Sequence, residues 1–311
     1  MIAAATREGL VAARRAPRLA VTLWLVNLAL ALSAGVPAFL ALRSAIGERP
    51  GADALADGFS FGILFDLVET QPGLLGGLVL SAVGVAFLGL LVGAAATGGT
   101  LEVLASRDDR PFAHRFGRGA GRFFVRFVRA GLLAGLVAVL AAALVAGPLM
   151  AAGGRMRRES GAEVASQLVS LGAVLLAGLV VLLALLALDA ARIRIVREDA
   201  RRVLPLLRSG FAVVLGHPVK WLGTWAVNAA LGALALALYL AFRHEVPAGT
   251  GPLVLLMALA QQAFVLTRAW LRVVLLGSEM ALVERLRPLP VPAPVPAEAP
   301  QAVSEPAPPL A

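Results

Sequence analysis

Cysteine is absent from this chain. That excludes disulfides, thiolate metal sites and cysteine nucleophiles. Histidine is nearly absent: His114, His217 and His244 are scattered without the spacing of a metal site. Charge is scarce, at 15% of residues, against about 25% in an ordinary soluble domain. Acids are scarcer than bases, 19 against 28, and there is one tyrosine. No carboxylate cluster sits near a nucleophile or a glycine-rich phosphate loop, so acid–base chemistry has no evident machinery. No catalytic residue, metal or cofactor is expected, and the chain reads as non-enzymatic.

What remains is apolar. Of 311 residues 59% are apolar and the mean hydropathy is +0.84, more than one water-soluble core can bury. Runs long enough for a bilayer core of about 20 helical residues lie at Leu19–Leu42, Leu74–Ala96, Val128–Met150, Leu168–Leu188, Lys220–Phe242 and Leu253–Leu276. The expected fold is all-α: a polytopic membrane protein with six transmembrane helices in three hairpins, plus amphipathic interfacial helices. The first run is too long for the core of a cleavable signal, about 7–15 residues, and reads as an uncleaved anchor.

Basic residues sort by side. Of the 28 Lys and Arg, 20 flank the spans on one side and six on the other; Arg268 and Arg272 fall inside the last span. The positive-inside rule places the crowded side, with both termini, in the cytoplasm. Short loops and heavy Arg and Ala usage suit a bacterial inner membrane. The net charge of +9 then points to the phospholipid membrane as partner rather than to nucleic acid. A protein partner or a second copy is left open.

Residues 1–287 form the expected membrane domain. The proline-rich stretch 288–311 reads as an extended, polyproline-like cytoplasmic tail. Within the domain an internal repeat is suggested. Arg7, Gly9, Pro17, Trp24, Val26 and Asn27 recur as Arg208, Gly210, Pro218, Trp225, Val227 and Asn228, at a constant offset of 201. Fainter matches link Arg7, Arg15 and Arg18 to Arg118, Arg126 and Arg129 at offset 111. Three copies, 7–106, 107–196 and 197–287, would each supply an amphipathic helix, a span out and a span back. Parallel repeats of this kind imply a pseudo-symmetry axis along the membrane normal. The start Arg7…Pro17, repeated as Arg208-Ser209-Gly210…Pro218, resembles six-span bacterial membrane families. One of these is the membrane domain fused to glycerophosphodiester phosphodiesterases. The resemblance covers roughly residues 7–288 and implies a helical membrane domain. No segment matches the phosphodiesterase domain, so no catalytic residue is carried over.

Several side chains stand out. Arg115, Arg118, Arg122, Arg126 and Arg129 share one helix face beside Phe112, Phe116, Phe123 and Phe127. A basic stripe beside an aromatic one suits a helix in the headgroup layer, each Arg contributing about 1 kcal/mol near anionic lipid; the same stripe can pack on neighbouring spans. Intramembrane polar residues are Asn27, Asn228, Gln261, Gln262, Arg268 and Arg272. The amides suit helix–helix hydrogen bonds, and the arginines lie near enough to the interface to snorkel. Gly89/Gly93, Gly117/Gly121 and Gly131/Gly135 have the spacing of close helix contacts. Asp189 and Arg192 read as a surface ion pair at the interface. Asp66 and Glu69, in an acidic outer segment from Asp53 to Glu69, could share a helix face.

The functional expectation is an integral inner-membrane protein with a basic, lipid-contacting cytoplasmic face, in a scaffold or in a lipid or envelope homeostasis role. The alternative is a transporter or permease for a small solute or a lipid.

Overall fold

The computed structural model describes residues 1–46, 72–106, 109–160, 163–246 and 251–286. The proline-rich stretch 288–311 and the acidic segment with Asp53, Asp57, Asp66 and Glu69 lie outside the described residues. The fold is all-helical among those described: α1 (Ile2–Arg15), α2 (Pro17–Ile46), α3 (Pro72–Ala105), α4 (Phe112–Ser160), α5 (Glu163–Glu198), α6 (Val203–Gly216), α7 (Pro218–Glu245) and α8 (Gly251–Leu286). Six of them, all but α1 and α6, are long and apolar enough to cross a membrane. The chain is a multi-pass membrane protein.

Every expected span lies inside one of these six helices, but four helices run on at the arginine-rich end. α3, α5 and α8 extend past Ala96, Leu188 and Leu276, to Ala105, Glu198 and Leu286, and α4 starts at Phe112 rather than Val128. Each extension carries the helix about 13–24 Å beyond its apolar run. The protein core sits there. Leu101, Phe123, Phe127, Ile193, Ile195, Val274 and Leu282 are fully buried, whereas Leu144, Leu168, Leu238 and Val254, toward the other end, are exposed. In a bilayer those outer side chains meet acyl chains, which solvate them as well as a protein neighbour would.

Proline decides which amphipathic stretch becomes a separate helix. Pro17 and Pro218 start α2 and α7, where a missing N–H is harmless. The residues before them, Ala16 (φ −128°, ψ 58°) and His217 (φ −139°, ψ 51°), adopt nearly the same bend. Each donates its N–H three residues back, Ala16 to Ala13 O (3.3 Å) and His217 to Val214 O (3.2 Å). The correspondence at offset 201 thus extends to backbone geometry. The stretch after Phe112 has no such proline at its end, and α4 runs unbroken from the arginine-rich layer through its span.

Glycine then sets how closely the arginine-end helices approach. Gly9 of α1 rests on Val274 O and on Ser278, 2.7 Å from its N, measured from where a Cβ would stand. Gly210 of α6 rests on Ala187 O and Ala191 of α5 in the same way, and Gly119 of α4 on Gly98 O and Glu102 of α3. In each case one glycine faces a carbonyl and the residue four places on, one helical turn along. α4 and α6 lean on the span just before them in sequence; α1 leans on α8. At offset 111 Gly9 would fall on Ala120; the contact is made by Gly119, one place earlier. The glycine pairs singled out from spacing do not make such approaches. Gly89, Gly93, Gly117, Gly121 and Gly135 have no neighbour within 4 Å of a Cβ, and Gly131 has only ordinary contacts. Spacing of four is common in a chain with 32 glycines; only the packing identifies those in use.

Candidate functional site

The arginine-rich end is one layer tied by ion pairs between helix ends. Arg118 of α4 pairs with Glu102 of α3. Arg122 and Arg126 of α4 both reach Asp199, just past α5, with Arg126 at 2.9 Å. Arg197 of α5 pairs with Glu284 of α8 at 3.1 Å, and Arg285 with Glu8 of α1. Asp199 takes φ 44°, a left-handed conformation that Asp tolerates through local hydrogen bonding. The hydrogen bond from Arg126, followed by that from Arg122, holds its carboxyl below the usual carboxylate range. The carboxylates of Asp199, Glu284 and Glu8 are half exposed or more, so each of their pairs contributes no more than about 1 kcal/mol; Glu102 is buried.

This changes the account of the arginine–phenylalanine face. Phe123 and Phe127 are wholly buried and stack at 5.9 Å, and Phe116 presses on Gly99. Phe112 stacks on Phe116. The rings pack into protein rather than into the acyl boundary. Arg118, Arg122 and Arg126 carry carboxylate partners, and Arg115 donates to Ser106 O at 3.4 Å. Arg129 is exposed with no ion pair among the described residues. So are Arg7, Arg14, Arg15, Arg18, Arg201, Arg202 and Arg208. The surplus positive charge of the layer therefore lies chiefly outside the stripe.

One turn deeper is a buried charge cluster joining α5 to α8. Asp189 (6% exposed) accepts from Arg192 at 3.2 Å and from Arg272 at 2.9 Å. The expectation of a surface Asp189–Arg192 pair is overturned: both are buried, and the aspartate is shared with a residue of another helix. Arg192 also lies 5.5 Å over the ring of Phe127, a cation–π contact strengthened by desolvation. Nearby Glu279, 1% exposed, finds no hydrogen bond for either carboxyl oxygen among the described residues. Sequence reading missed Glu279 entirely. The one signal was an acid within the generally apolar run LLGSEMALV, seven residues after Arg272 and so on the same helix face.

Above the cluster a cleft of about 520 Å³ opens between α2, α3 and α8. Its wall is apolar, with Leu23, Val26, Leu30 and Val92, and carries four polar side chains: Asn27, Thr97, Arg268 and Arg272. Arg272 is held by Asp189, and its side chain, 38% exposed, lines the cleft. Arg268 is exposed and has no partner among the described residues. An arginine at the centre of a membrane helix costs about 2.5–3.5 kcal/mol on insertion scales; a nearby anion or a reach to the interface offsets that cost.

The other intramembrane amides are used in packing. Asn228 of α7 is buried, and its amide, oriented to satisfy both ends, donates to Leu271 O and accepts from Leu275 N of α8, each at 3.2 Å. Gln262 of α8 accepts from Trp24 Nε1 of α2 at 2.9 Å. Gln261 is exposed and lines no part of the cleft. Thus the structure brings Asn27, Arg268 and Arg272 together and sends Asn228, Gln261 and Gln262 elsewhere. Among the described residues no group of acids and histidines is placed to hold a metal ion. No family model matches the chain, and neither a curated protein nor a solved structure matches it.

Proposed function

We propose that this chain is a non-catalytic integral protein of a bacterial inner membrane whose basic face, on the cytoplasmic side with both termini, contacts anionic phospholipid. Its role would be that of a scaffold or of a component in lipid or envelope homeostasis. The observation that carries this reading is the set of exposed arginines without ion pairs at one end of the bundle: Arg7, Arg14, Arg15, Arg18, Arg129, Arg201, Arg202 and Arg208. Glu8, Glu102, Asp199 and Glu284 are taken up in pairs with other arginines, and these eight have no ion pair among the described residues. Each such residue near an anionic leaflet contributes about 1 kcal/mol, falling off within a Debye length.

The test is lipid selectivity in nanodiscs made from phosphatidylcholine and phosphatidylglycerol. The wild-type protein should enrich phosphatidylglycerol in its boundary lipid, and replacing Arg14, Arg15, Arg18 and Arg129 by Gln should reduce that enrichment. Equal enrichment after the fourfold replacement would overturn the reading. Transport of a small solute or a lipid is the second reading, and the polar cleft between α2, α3 and α8 favours it. It predicts protein-dependent movement of a labelled amphiphile between leaflets of a proteoliposome; movement no faster than in empty vesicles removes it.

A further inference from the structure

We propose that the cleft between α2, α3 and α8 is a binding site for the phosphate of an anionic amphiphile, with Arg268 and Asn27 as its recognition residues. The proposal deepens the lipid-contacting reading above and rests on it. Three observations converge. The first is volume and lining. About 520 Å³ lies within the range of ligand sites, about 300–1,000 Å³, and an apolar wall with a few convergent polar groups is their usual make-up. The second is charge. Arg272 has its negative partner in Asp189, whereas Arg268, four residues and one turn away on the same helix face, has none among the described residues. The cleft therefore carries one uncompensated guanidinium, and a phosphate presents the planar, two-oxygen edge that a guanidinium fork binds best.

The third observation is a comparison internal to the chain. Asn27 and Asn228 occupy matching positions at offset 201. Asn228 is buried and bridges two backbone groups of α8. Asn27 is exposed and lines the cleft. Where α7 closes on α8 the amide is consumed in packing; where α2 faces α3 the equivalent amide is left open, beside the unpaired arginine. Gly93 on α3 keeps the facing wall low, with no neighbour within 4 Å of a Cβ. The cleft is lined by parts of three spans rather than by loops, so an acyl chain can lie along its apolar wall while the phosphate meets Arg268, Arg272 and Asn27.

The phosphate could belong to a lipid headgroup or to a free ion, and the experiment separates them. The full chain is purified in a neutral detergent, exposed to phosphatidylglycerol and phosphatidylcholine, and the retained lipid is counted by native mass spectrometry. Wild type should retain one phosphatidylglycerol through washing. Arg268→Gln and Asn27→Leu should each lower that occupancy about tenfold, and Arg268→Lys should restore part of it. Challenge with millimolar inorganic phosphate separates the sources: an unmoved lipid marks a headgroup site, and displacement with tight retention of phosphate itself marks an ion site. The first result supports the amphiphile; the second overturns it in favour of an ion site. Because Arg268 is exposed and unpaired, its replacement should leave the melting temperature unchanged, which separates lost binding from lost folding. The proposal is overturned if Arg268→Gln and Asn27→Leu retain the lipid as wild type does. It is also overturned if only the Arg14, Arg15, Arg18 and Arg129 replacement releases it; in that case the surface reading stands and the cleft reading falls. If no variant changes phosphatidylglycerol over phosphatidylcholine, both fall.

Discussion

Replacing Gly9 by alanine tests whether glycine sets the approach of the arginine-end helices. The added methyl would stand against Ser278 Oγ and Val274 O and 2.7 Å from Ser278 N. The carbonyl and the N–H belong to the backbone of α8, which cannot yield as a side-chain tip can, so α1 must retreat on the order of 1 Å. Overpacking of this kind costs about 1–3 kcal/mol. Against it stands the gain from replacing a helical glycine, about 1 kcal/mol. The control is Gly84→Ala, at a helical glycine with nothing within 4 Å, which should show the gain alone. The difference between the two variants therefore reads the packing cost directly. Thermal unfolding in detergent, followed by tryptophan fluorescence, should place Gly9→Ala several degrees below Gly84→Ala. Gly119→Ala and Gly210→Ala should fall on the same side, since each faces a carbonyl in the same way. If Gly9→Ala melts at or above Gly84→Ala, close glycine contact is not what sets the position of α1.

Other outcomes follow from the charged layer. Glu279→Gln should raise the melting temperature or leave it unchanged, because a buried carboxyl that makes no hydrogen bond among the described residues costs about 1–3 kcal/mol or more; a collapse of the fold would show that its attraction to Arg272 and Arg192 is needed. Asp189→Asn should destabilise strongly, by about 3–5 kcal/mol, since it removes the shared partner of two arginines; a loss under 1 kcal/mol would show the cluster to be hydrated. Asp199→Asn keeps a residue that tolerates the left-handed backbone and, with two exposed pairs lost, should cost no more than about 2 kcal/mol at pH 7. Because the folded carboxyl is held below its ordinary value, its contribution is present above pH ~4 and fades as pH falls through the lower folded value. The melting curves of wild type and Asp199→Asn should converge there, and a gap that persists in acid would refute the assignment.

The spans were legible because each is a run of apolar residues, a signal that needs no tertiary information. The joints at Ala16 and His217 were legible too, through Pro17 and Pro218. What stayed hidden depends on contacts between distant segments. Asp189 and Arg192, three apart, read as a local surface pair until α8 brings Arg272 to the same carboxylate. The phenylalanine stripe of α4 has the same spacing whether it faces acyl chains or protein, and the extension of α3, α5 and α8 beyond their apolar runs supplies the protein. Asn27 and Asn228 look alike in sequence and differ only in what closes over them.

The seating of α1 on α8 has a consequence for biogenesis. The glycine that opens the way for that contact leaves the ribosome long before the helix it fits, and every span described between them must be inserted in the meantime. Until α8 arrives, α1 lacks its main support and has, besides its arginines and the lipid surface, only lesser contacts such as Ile2 on Gly223 of α7. A nascent chain stalled before Gly251 should therefore leave α1 open to protease or to a water-borne label, and its protection should appear only once α8 has entered the bilayer.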